Sequence, residues 1–99
     1  MLEVDSVNEY LRHLIIVKKV TANSIQRVLR SINKLFEKYN ESFPFCVEDW
    51  QRTARKINYL RSSVTKAEDF LEKVQDLQHY ALNVVLTERR NLDAAVSEL

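Results

Sequence analysis

Counting in alternate steps of three and four from Trp50 lands on Thr53, Ile57, Leu60, Val64, Ala67, Leu71, Val74, Gln78, Ala81, Val85, Glu88, Leu92, Ala95 and Leu99, and most of these are apolar. A seam that keeps one phase over such a length without Gly or Pro is the mark of helix packed on helix. Upstream, Val4, Val7, Leu11 and Leu14 repeat at the same spacing. Ser6 and Glu9 stand three apart, as in a capping box, so a first helix is expected to begin near Ser6. Leu14, Ile15, Ile16 and Val17 form the longest apolar run, which calls for a helix buried around most of its circumference there.

The segment from Lys18 to Ser24 is a candidate break, because Val20 and Thr21 are β-branched and Asn23 with Gln26 has cap spacing. The three-four phase also threads it as a continuous helix from Leu14 through Lys18 and Thr21 to Ile25. Ile25, Val28, Leu29, Ile32, Leu35, Phe36 and Tyr39 then line one face of a second helix. That helix is expected to stop near Asn40, since Asn tolerates the left-handed cap conformation where Gly is lacking. Pro44 makes Asn40 to Cys46 the clearest loop, with Phe43 and Phe45 folding back as a plug on the bundle end. Glu48 and Asp49 suit the start of a third helix that turns Trp50, Ile57 and Leu60 inward.

Beyond this point two signals conflict. The unbroken seam predicts one helix of about 50 residues and about 75 Å, whereas Ser62, Ser63 and the cap spacing of Thr65 with Glu68 predict a bend at residues 62 to 65. The bend is favoured, because the remaining chain is too short to cover so long a rod. In the C-terminal helix Phe70, Leu77 and Val84 add a second apolar row beside Leu71, Val74, Ala81 and Val85, and Leu92, Val96 and Leu99 carry apolar character to the last residue. The predicted fold is all-α, a small antiparallel bundle of three to four helices with a long C-terminal helix, forming one domain over residues 1–99 that stands alone or is a fragment of a larger protein.

Composition narrows the function. The chain has 99 residues and no glycine, which removes the phosphate loops, dinucleotide turns and nucleophile elbows that depend on Gly. With no apolar run long enough for a bilayer and no signal peptide, a cytoplasmic or nuclear location is expected. Cys46 is the single cysteine, so no internal disulfide forms, and it is read as a small half-buried hydrophobe. Glu9 with His13 and Asp76 with His79 share helical faces, but neither pair has the further carboxylates of a di-metal bundle. No catalytic set, cofactor, metal or small-molecule substrate is expected.

The charges are uneven although the net charge is only +1. No acid lies between Glu9 and Glu37, and Arg27, Arg30, Lys34 and Lys38 recur at helical steps, with Arg52, Arg55 and Lys56 as an extension past the loop. Such a stripe suits phosphates. A solvated face paired with the acids Glu68, Asp69, Glu72 and Asp76 explains the same residues and is the favoured reading of the stripe. The run Tyr10-Leu11-Arg12 through Val20-Thr21-Ala22-Asn23-Ser24-Ile25 to Leu35-Phe36 resembles the first helix pair of the DNA-clamping core-binding domain of tyrosine recombinases, whose Arg, His and Tyr catalytic set has no counterpart here. The resemblance implies a helix pair able to face DNA.

The leading expectation is a non-catalytic protein-interaction module that associates with itself or with a helical partner through Phe70, Leu77, Val84, Leu92, Val96 and Leu99. The alternative is a helical nucleic-acid-binding module that uses Arg27, Arg30, Lys34, Lys38, Arg52 and Lys56.

Overall fold

A computed structural model describes residues 3–74 and 76–99. It is all-α, a helical bundle with the order α1 (Val4–Ile16), α2 (Ala22–Lys38), α3 (Val47–Lys73) and α4 (Gln78–Ser97), and no strand occurs among the described residues. The C-terminal helix is long, at 20 residues, though α3 is longer at 27. The chain divides into two compact units, Met1–Arg55 and Lys56–Leu99.

In the first unit α1 begins at Val4, two residues before the expected start. Ser6 does not cap it: its hydroxyl donates to Glu3 Oε2 at 2.8 Å, and Glu3 occupies the cap position without a side-chain bond to the backbone. Asp5 in the first turn complements the helix dipole and helps that extra turn to form. Val4, expected in the core, is exposed there. The apolar run is shared out: Ile15 is fully buried, Leu14 and Ile16 are half-buried, and Val17 lies beyond the helix end and is exposed.

The break predicted after Lys18 is present, and its cap is Thr21 rather than Asn23. The Thr21 hydroxyl accepts from the Ser24 N–H at 3.2 Å, and Lys19 takes the left-handed conformation with φ 56°. α2 ends as its sequence predicts. The Asn40 N–H donates to the Glu37 carbonyl at 3.1 Å and the Glu41 N–H to that of Phe36 at 2.9 Å, with Asn40 left-handed at φ 54°. This is a Schellman motif with Asn where Gly is usual. The chain then runs back beside α2, and Gln51 Nε2 on α3 donates to the Ala22 carbonyl at 3.3 Å. Leu11, Ile15, Ile25, Leu29, Phe36 and Ala54 form the buried core of this unit.

The second unit is a helical hairpin. As α3 advances from Lys56 to Glu68, its ion-pair partner recedes from Glu98 at the C-cap of α4 to Arg89 within α4, so the two helices are antiparallel. Ile57, Val64, Ala67, Ala81, Val85 and Ala95 are its buried residues, and all lie on the predicted seam. The bend expected at residues 62 to 65 is absent, because α3 runs through it to Lys73. Thr65 instead donates its hydroxyl to the Arg61 carbonyl one turn back. A cap is worth about 1 kcal/mol, less than the burial of Val64 and Ala67 that the unbroken helix secures. The reversal falls at residues 74 to 77, of which Gln75 is outside the described residues.

Candidate functional site

An apolar groove lies between α1 and α2 in the first unit. Ser6, Val7 and Tyr10 come from α1, and Ile32, Leu35 and Phe36 from α2, around a volume of about 240 Å³. Three- and four-residue steps on each helix place these side chains on facing stripes. The antiparallel α1–α2 hairpin sets the beginning of one helix against the end of the other. Phe36, only 2% exposed, is the floor. Phe43 and Phe45 pack edge-on against it with ring centroids at 5.8 and 6.0 Å, and against each other at 5.4 Å. The loop therefore folds back on α2 as the predicted plug, its two rings packed against the groove floor.

The rim is open. Tyr10 is 50% and Leu35 49% exposed, and Tyr39, one turn beyond Leu35, is 57% exposed. Leu35 and Tyr39 were expected on the core face of α2, and the structure places them outside. The reason is width: Ile25, Val28, Leu29, Ile32, Leu35 and Phe36 on α2, with Tyr39 at its C-cap, span more of its circumference than its neighbours in this unit cover. The breadth of this apolar face is legible in the sequence of α2, as it is in the C-terminal helix.

The basic residues form a row on α2. Arg27, Arg30, Lys34 and Lys38 are all exposed, and none takes part in the ion pairs found among the described residues. Glu68, one of the acids that were candidates to neutralise them, is bonded to Arg89. The proposed extension is different: Arg52 pairs with Asp49 at 3.4 Å and Lys56 with Glu98 at 3.4 Å, so both already have local partners.

The residues singled out on the C-terminal half do not form one stripe. Phe70 ends up on α3, Leu77 immediately precedes α4, and Val84 lies on α4, because the turn at 74 to 77 separates them. Phe70 and Leu77 are exposed, while Val84, Leu92, Val96 and Leu99 are half-buried. The outward apolar residues that periodicity missed here are Tyr59, Tyr80, Leu82 and Leu86. Shallow depressions on this unit are lined by Tyr80, Asn83, Val84, Thr87 and Glu88, and by Leu71, Gln78, His79 and Leu82.

Cys46 is exposed, not half-buried, and its thiol donates to Glu48 Oε2 at 3.4 Å. The Glu48 carboxyl is held below its ordinary pKa, first by its own backbone N–H at the start of α3 and second by that thiol. Burial lowers the pKa of the Arg61 guanidinium, which donates to Asn58 Oδ1 at 3.1 Å. His13 and His79 are exposed, and among the described residues no group of three or more His, Cys, Asp or Glu is placed to hold a metal ion. No helix among these residues is long and apolar enough to cross a membrane.

Comparison with protein-family models, curated proteins and solved structures finds no match. The run from Tyr10 to Phe36 lies on α1, the Thr21-capped start of α2 and the body of α2.

Proposed function

We propose that this chain is a non-catalytic interaction module of the cytoplasm or nucleus that associates with a helical partner protein through apolar surface on its helices. The observation that supports this reading is the α1–α2 groove, whose floor is fixed by three phenylalanines and whose rim leaves Tyr10 and Leu35 half in water. Large apolar side chains gathered around a preformed cleft commonly mark a surface that another molecule covers. On the other unit Phe70, Leu77, Leu82 and Leu86 are each exposed, and Leu82 and Leu86 stand one turn apart on α4. The test is affinity capture on the intact chain, compared with the variant Leu35→Lys. Loss of the captured protein with an unchanged circular dichroism melt is expected. An identical set of captured proteins from both chains would overturn the groove as the binding surface.

A second reading, nucleic-acid binding, is favoured by one observation, the row Arg27, Arg30, Lys34 and Lys38 with no ion-pair partner on the described residues. Anisotropy with labelled duplex DNA and single-stranded RNA tests it. Binding through phosphates falls steeply between about 50 and 200 mM salt and is lost on replacing Arg27, Arg30 and Lys34 by Glu. Absence of binding at low salt ends this reading.

A further inference from the structure

We propose that the α1–α2 groove receives the apolar edge of an amphipathic helix from a partner protein, with acidic residues along one flank of that helix pairing with Lys34 and Lys38. The inference rests on the interaction-module reading above and names the chemistry of the partner. A cleft between two antiparallel helices, lined at three- and four-residue steps, matches the side-chain rows of a third helix. Strand addition would need an exposed sheet edge, and no strand occurs among the described residues. The floor is set before binding, since Phe36 is wedged by Phe43 and Phe45. Little has to be ordered when the helix docks.

The charges decide the flank. At 3.6 residues per turn, Phe36 lies about 100° to one side of Leu35, and Lys38 and Lys34 lie about 60° and 100° to the other. The two lysines therefore border the outer lip of the groove on α2, with no ion pair among the described residues engaging them. On the opposite lip, beyond Tyr10, α1 carries Glu9 and His13, both exposed. An asymmetric groove of this kind selects a helix that is acidic toward α2 and not acidic toward α1. It disfavours nucleic acid, because a phosphate backbone lying along the apolar cleft would meet the Glu9 carboxylate.

The probes are synthetic helical peptides with a Leu row at i, i+3 and i+7, one with Glu along a single flank and a twin with Lys in those positions. With the intact isotope-labelled chain, the Glu peptide is expected to bind saturably and to shift the amides of Val7, Tyr10, Ile32 and Leu35 most. The Lys twin should bind about tenfold more weakly, and the double change Lys34→Glu with Lys38→Glu should reverse that preference. If the double variant fails to fold, Lys34→Gln with Lys38→Gln serves, and should make the two peptides equal. Equal affinity of both peptides for the native chain, no saturable binding, shifts centred outside the groove, or tighter binding of duplex DNA at the same residues would each overturn the proposal. Failure here, with partner capture still abolished by Leu35→Lys, refutes the acidic helix alone. Capture insensitive to Leu35→Lys refutes the groove as an interaction surface as well.

Discussion

Phe36 joins the core of the first unit to its surface groove, since it is almost fully buried, receives two edge-on rings from the loop and forms the groove floor. Phe36→Ala removes both ring contacts and the buried side chain at once and is expected to cost about 3–5 kcal/mol in urea unfolding. At the opposite end of α2, Thr21→Ala removes the hydroxyl that accepts from the Ser24 N–H at the helix start. It should cost about 1 kcal/mol. Glu48 offers a pH test of local geometry. Its depressed carboxyl contributes stability that is present above the unfolded pKa and is lost as pH falls through the folded value, so the contribution vanishes on the acid side. In an NMR titration, Cys46→Ala should raise the Glu48 midpoint toward the ordinary value without restoring it fully, because the backbone N–H remains. An unchanged midpoint would show that the thiol contributes nothing.

At the scale of the elements, a chain without glycine must find other residues for its left-handed positions, and it uses Asn40 and Lys19. Asn40 is foreseeable, as its short amide tolerates that region. Lys19 is not, because nothing in a lysine signals it, and the strain is accepted to let Val20 N–H reach the Leu14 carbonyl at 3.1 Å and turn the chain toward α2. Lys19→Gly is therefore expected to raise stability by up to about 1 kcal/mol, the relief of strain exceeding the added freedom of the unfolded chain. Continuity of α3 has its own test. Thr65→Pro falls inside a hydrogen-bonded helix and should cost about 3 kcal/mol or more. A bend at that point would tolerate it, so a native-like melt for this variant would contradict the continuous helix.

Across the whole molecule the two units differ in what they bury. The first encloses Leu11, Ile15, Ile25, Leu29 and Phe36, whereas three of the buried residues of the second are the alanines Ala67, Ala81 and Ala95. Less apolar area leaves water in the hairpin, so local opening is easier there. Native-state hydrogen exchange should find the amides of α4 exchanging faster than those of α1 and α2 near Leu11 and Leu29. The exposed ion pairs Lys56–Glu98 and Glu68–Arg89 do not alter this ordering, since pairs of that kind add little. Equal protection throughout would mean that the hairpin opens only with global unfolding.

By itself the sequence determined that the chain is helical, that Asn40 to Cys46 reverses it, that Phe43 and Phe45 seal the end of α2, and which residues of the C-terminal half form the seam. Each of these follows from local chemistry: periodicity, one proline, one asparagine and the area of aromatic rings. The tertiary structure alone decided where the seam folds. From Val74 to Gln78 is four residues, about one helical turn, so the apolar phase is the same whether the helix continues or reverses there. Reversal prevails because it lets α3 and α4 bury each other, which a straight rod of the same sequence does not do. The groove was likewise decided in three dimensions. Leu35 and Tyr39 belong to the apolar face of α2 on any helical wheel, and only the placement of α1 and α3 beside α2 determines how much of that face stays open to a partner.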